Sequence, residues 1–171
     1  GVIAYMILYV IMSLGTFACI LSMRNSQGVI EQISGLSGLS RSQPLMAFCM
    51  AAFMFSLAGI PPMAGFFGKL FVFRAAIDAG LYGLSILGVL SSVVGAYYYL
   101  RIVKIMYIDA PSEDDYQPMP RELSIMAGVM AGFALLFFVY PAPLIELSNG
   151  AAAALLNGAG TDVVTGLLSR P

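Results

Sequence analysis

The run SLAGIPPMAGFFGKLFVF, residues 56–73, places one lysine inside an apolar stretch. Lys69 is the group best suited to chemistry in this chain. Histidine is absent, which excludes a His-ligated metal or haem and leaves Lys, Asp and Glu as the titratable side chains with relay potential. Lys69 precedes Asp78 by nine residues, about 13 Å of helix rise. A lysine stem of roughly 6 Å covers only part of that distance to water. Facing lipid, the ammonium would cost at least ~2.5–3.5 kcal/mol, so it is expected to face the interior of a helix bundle. A buried amine balances desolvation of its charged form against any carboxylate or water it meets. A site where that balance moves can load and release a proton. Two readings stay open: Lys69 is a proton relay, or it is half of a permanent structural ion pair. Gly65, one turn earlier on the same face, leaves room for a neighbouring helix or water. Arg74 has an easier route to the interface and reads as a snorkelling anchor.

The residues ahead of Lys69 should break the helix that carries it. Residues 44–78 number 35, and an unbroken helix of that length would extend about 52 Å. The hydrocarbon core is only ~30 Å thick. Pro61 and Pro62 each lack an N–H and clash with the preceding turn, so the carbonyls of Leu57 and Ala58 lose their helical partners. Gly59 eases the distortion. Freed carbonyls survive at membrane depth only inside protein or beside water, so the break predicts neighbouring helices and hydration. A packing kink with every carbonyl satisfied by neighbours is the plainer alternative.

Composition supplies the setting. The 171 residues are 60% hydrophobic and 10% charged, with mean hydropathy +0.90; soluble chains run nearer ~25% charged. Apolar blocks at 2–23, 44–77, 81–108 and 123–147 are each long enough for a span of roughly 20 residues. The expected fold class is all-α: a polytopic transmembrane bundle of about four helices, one discontinuous at 59–62, in a single membrane domain over 1–171. Residues 25–43 read as a Gly/Ser-rich loop with one short amphipathic turn at 29–33. Residues 109–122 form a polar, Pro-rich loop with the acids Asp109, Glu113, Asp114, Asp115 and Glu122; it either docks a partner or is solvated, and solvation is the favoured expectation. Pro141 and Pro143 bend or end the last helix, and a short interfacial helix is expected at 151–156. The start is apolar, with no initiator Met and no basic n-region, unlike a secretory signal; further helices are expected upstream. A net charge of −1 offers nothing to nucleic acid. Cys19 and Cys49 sit in apolar blocks without CxxC spacing and read as small buried hydrophobes.

Cations orient the chain. Arg24, Arg41, Arg101, Lys104 and Arg121 fall on one side, Arg74 and Arg170 on the other. The positive-inside rule puts loops 24–43 and 109–122 in the cytoplasm and the C-terminus outside. Tyr97, Tyr98 and Tyr99, followed by Arg101 and Lys104, read as an interfacial aromatic anchor; lining of a hydrated pathway by these tyrosines and Lys104 is the alternative.

At these residues a family resemblance emerges. SLAGIPPMAGFFGKLFVF, followed by SSVVGAYYYLRIVKIMY, resembles the antiporter-like membrane subunits of proton-pumping NADH:quinone oxidoreductase, respiratory complex I. Lysine at position 69, the AYYYLRI run and the GLSGLSR loop are most similar to the subunit N branch. The resemblance implies discontinuous helices along a hydrated mid-membrane axis, with Lys69 on the proton pathway towards the outer side. It implies the C-terminal part of a subunit of the bacterial inner membrane that carries no cofactor itself, with NADH, FMN, iron–sulfur clusters and quinone handled by other subunits. The implied partners are other complex I membrane subunits, the lipid bilayer and the N-terminal part of the same subunit. The family's glutamate and lysines on earlier helices have no counterparts here, so the fragment alone is expected to be non-catalytic and to translocate nothing. Two alternatives remain: a cation/proton antiporter subunit of the Mrp or hydrogenase-linked type, and a non-transporting scaffold.

Overall fold

A computed structural model describes residues 2–25, 28–30, 32–111 and 116–137, with four single positions beyond. Glu113, Asp114, Asp115, Pro141, Pro143, Arg170, the expected end of the last helix near 147 and most of the 151–156 helix lie outside the described residues. In chain order the elements are α1 (Val2–Ser22), β1 (Arg24–Asn25), β2 (Gly28–Val29), a 3₁₀ turn (Ile33–Leu36), α2 (Leu39–Ser42), α3 (Pro44–Ala58), α4 (Ala64–Asp78), α5 (Tyr82–Tyr107) and α6 (Arg121–Leu136).

Length decides which helices can cross a bilayer alone. The 21 residues of α1 and the 26 of α5 give about 32 and 39 Å of rise, enough for a ~30 Å core. The 15 residues of α3 and the 15 of α4 give only about 22 Å each. They make one discontinuous span together, with the break at residues 59–63. The helix expected over 44–77 with a discontinuity at 59–62 is thus observed as two half-helices, and Pro44 opens the first at a position where its missing N–H costs nothing.

α3 is the central element. From Cys49 onward residues around its circumference are buried, including Met50, Ala52, Phe53 and Met54, while Leu45 and Phe48 nearer its start are exposed. A helix that is apolar all round must be surrounded, and α1, α5 and α6 pack around it. Ala127, Ala131 and Ala134 form a buried small-residue stripe on α6, which lets helix backbones approach closely where lipid offers no hydrophobic drive for association. Most of α5 is turned outward: Leu84, Leu87 and Val93 are all exposed.

The connection 25–43 differs from the expected loop with one turn at 29–33. Arg24 pairs with Val29 and Asn25 with Gly28 in a minimal antiparallel hairpin; the 3₁₀ turn and α2 follow. Gly38, at φ +71°, reverses the chain before α2. This connection is knitted to the last turn of α5 and to the 109–122 segment. Gly38 N–H donates to the Ile105 carbonyl at 3.3 Å, and Gln117 N–H to the Arg24 carbonyl at 2.8 Å. Ser37 Oγ donates to the Ala110 carbonyl, Tyr116 Oη to the Gly35 carbonyl and Gln43 Nε2 to the Gln117 carbonyl. The described part of 109–122 is thus tied to its own chain while Ala110, Pro111, Gln117, Pro118 and Pro120 stay exposed. Each of these bonds has a main-chain carbonyl of one segment as acceptor, which side-chain polarity does not reveal.

Candidate functional site

The site is the junction of α3 and α4. α3 ends on Gly59 at φ +81°, a left-handed conformation that glycine adopts without a Cβ penalty. Gly59 N–H reaches the Ser56 carbonyl at 2.9 Å and Ile60 N–H reaches the Phe55 carbonyl at 3.2 Å. Two of the four carbonyls left over at a helix C-terminus are thereby satisfied locally. Pro61 and Pro62, joined by a cis peptide bond, are exposed in the turn that follows.

The Ala58 carbonyl has a different partner. Lys69 Nζ, partly buried on α4, donates to it at 3.1 Å. The lysine stem folds back over Gly59, where an added Cβ would come within 2.9 Å of Lys69 Cδ. One of the carbonyls that the prolines were expected to free is therefore held by the lysine. A helix C-terminus carries about half a negative charge, so the ammonium is favourably placed there. The one ion pair among the described residues is Lys104–Asp109, so the structural ion pair considered for Lys69 has no carboxylate in this set.

The start of α4 is fixed from two directions. Ala64 is fully buried in a cluster with Leu8 and Met12 of α1 and with Ala134 and Phe137 at the end of α6. Ser56 of α3, also fully buried, accepts a hydrogen bond from Gly65 N–H at 3.0 Å. Its own hydroxyl proton points to Met12 Sδ. Gly65 is needed for this approach, because a Cβ there would sit 1.8 Å from the Ser56 carbonyl oxygen. The space expected beside Gly65 for a neighbouring helix or water is occupied by the other half of its own broken helix.

Of the residues singled out in the sequence, Gly59, Gly65 and Lys69 meet at the junction, and Pro61 and Pro62 turn the chain within it. Tyr97 and Tyr98 point outward, with 63% and 57% exposure, while Tyr99 packs against the main core. Lys104, in the last turn of α5, pairs with Asp109 at 3.3 Å. Arg74 is exposed, and Cys19 and Cys49 are buried free thiols. Ser56 was missed. Its signal was available: a hydroxyl in an apolar run, three residues before the glycine that ends the helix.

Known proteins fit this architecture. The family described as NADH:quinone oxidoreductase/Mrp antiporter, TM matches residues 1–95. NADH-quinone oxidoreductase subunit N of Parvibaculum lavamentivorans is 60% identical over 156 residues, which cover 91% of this chain and 32% of that protein. Subunit N of Granulibacter bethesdensis is 52% identical, with 91% and 33% covered. A chain of respiratory complex I from Thermus thermophilus with bound aureothin aligns with TM-score 0.71 and 31% identity, over 82% of this chain and 33% of that one. A chain of the Mrp complex from Dietzia sp. DQ12-45-1b shares the fold, with TM-score 0.75 and 24% identity over 90% of this chain and 37% of that one. The present chain thus spans about a third of the length of the curated relatives it matches. Its helices, its break and these matches together place it: the chain belongs to the NADH:quinone oxidoreductase/Mrp antiporter transmembrane family.

Proposed function

We propose that this chain works as part of a longer subunit N-type protein of NADH:quinone oxidoreductase, and that Lys69 carries a proton through it. The observation that carries the reading is the Lys69–Ala58 contact: a lysine held on a backbone carbonyl where a transmembrane helix is broken. As an ammonium, Lys69 is anchored by the negative end of α3. Releasing a proton to water or to a neighbouring acceptor leaves a neutral amine, which donates more weakly to that carbonyl. The redox chemistry of NADH, flavin, iron–sulfur clusters and quinone is assigned to other subunits, and loops 24–43 and 109–122 to the cytoplasmic side, with the C-terminus periplasmic. Pathway lining by Tyr97, Tyr98 and Lys104 has less support, because those side chains are exposed or ion-paired elsewhere; Tyr99, packed on the core, remains the better candidate.

The second reading, a cation/proton antiporter of the Mrp type, is favoured by the shared family description. Subunit N relatives at 52% and 60% identity favour the first. The test is Lys69→Ala in the assembled membrane complex, with NADH oxidation, proton pumping and Na⁺ dependence followed together. We expect normal assembly, proton flux through this subunit slowed by about 10²-fold, and no Na⁺ requirement. Na⁺-driven transport independent of NADH supports the antiporter. Unchanged pumping at normal assembly supports a scaffold.

A further inference from the structure

Two hydrogen bonds cross the break in opposite directions. Lys69 of α4 reaches back to the Ala58 carbonyl at the end of α3. Ser56 of α3 reaches forward to Gly65 N–H in the first turn of α4. Each half-helix thus supplies the side chain that caps the other. Unpaired N–H groups at a helix start and unpaired carbonyls at its end are costly to bury, and both halves end inside protein here: Ser56, Ala58 and Gly65 are all buried. Met63, at the position before α4, makes no side-chain cap, which leaves that task to Ser56.

The geometry also leaves Ser56 little freedom. Its oxygen accepts from Gly65, its proton goes to Met12 Sδ on α1, and its side chain has no solvent exposure. Gly65 and Lys69 are one turn apart on one face of α4. Fixing Gly65 against Ser56 therefore fixes the backbone from which Lys69 folds back to Ala58. We propose that Ser56 is a positioning residue for Lys69: its bond to Gly65 sets the distance between the half-helices at which the lysine can reach the end of α3. The consequence for transport rests on the proton-carrier reading of Lys69; the capping role does not.

The test uses the intact membrane complex carrying Ser56→Ala, with Ser56→Cys as the conservative variant, and Met12→Leu and Lys69→Met as references. Three quantities are read: amide hydrogen exchange at 63–66, NADH:quinone electron transfer, and protons pumped per NADH. In Ser56→Ala, exchange at Gly65 should rise about tenfold, the local opening expected on losing one buried hydrogen bond. Protons per NADH should fall more than electron transfer does. Ser56→Cys, with a weaker acceptor, should lie between Ser56→Ala and wild type in both respects. Met12→Leu, which keeps the Ser56–Gly65 bond but removes the acceptor of the buried Ser56 proton, should raise exchange at Gly65 less than Ser56→Ala does. Faster exchange in Ser56→Ala with wild-type pumping, while Lys69→Met has lost pumping, would overturn the positioning role. Unchanged exchange would overturn the cap itself. Faster exchange with full pumping in both Ser56→Ala and Lys69→Met sinks the proton-carrier reading and leaves the cap standing. Should Ser56→Ala fail to assemble, Ser56→Cys decides: wild-type exchange and pumping in that variant overturn the proposal.

Discussion

Lys69 and Gly59 fit against each other: the lysine stem crosses the glycine where any other residue would place its Cβ, 2.9 Å from Lys69 Cδ, on the way to the Ala58 carbonyl. The left-handed turn that ends α3 and the placement of the lysine are thus one feature. It explains why an apolar span carries both an interruption and a cation, since the interruption frees a carbonyl that the cation takes.

Gly59→Ala should therefore act twice. A non-glycine residue in the left-handed region costs roughly 1–2 kcal/mol, and the new methyl pushes Lys69 off its seat. The stem is flexible enough to yield, so the complex should assemble. We expect a lower thermal-inactivation midpoint and reduced proton pumping per NADH, measured on the same preparation. Unchanged pumping would mean that the Ala58 contact has no bearing on transport.

Gly65→Ala should be worse. Its Cβ meets a backbone oxygen at 1.8 Å rather than a movable side chain, and overpacking of a buried contact typically costs about 1–3 kcal/mol. Reduced complex content in membranes, by native gel against wild type, is the expected outcome. Restoration by Ser56→Gly is not expected, because the obstructing atom belongs to the backbone.

The connecting segments give a contrasting prediction. Tyr116→Phe removes the bond to the Gly35 carbonyl, a loss of about 0.5–1.5 kcal/mol. It lies far along the chain from Lys69 and in none of the contacts around it. Limited proteolysis of the solubilised complex should cut within 109–120 several-fold faster, roughly the opening such a loss allows, while pumping stays at the wild-type level.

Sequence made the large features readable because they rest on strong local physics. Apolar blocks of spanning length locate α1 and α5 to within a residue or two, and the Gly-Ile-Pro-Pro run locates the break, observed at 59–63. Lys69 stood out because a charge in an apolar segment has few tolerable places. What stayed hidden depends on tertiary pairing. The partner of Lys69 is a main-chain oxygen, which no side chain announces. The role of Ser56 needs the fold to bring Gly65 back within 3.0 Å of it. The 24–43 connection was the weakest reading: its Gly/Ser backbone looks like plain loop, yet Gly35, Ser37 and Gly38 bind residues of the 105–116 region through long-range hydrogen bonds.

A density map of the intact membrane complex, sharp enough to show ordered water around position 69, tests the central claim most directly. The Lys69 amine should lie inside the helix bundle at the end of α3, within hydrogen-bonding distance of water or of a residue connected through water to one face of the membrane. A side chain pointing into acyl chains, or sealed without water against a fixed carboxylate, would contradict it.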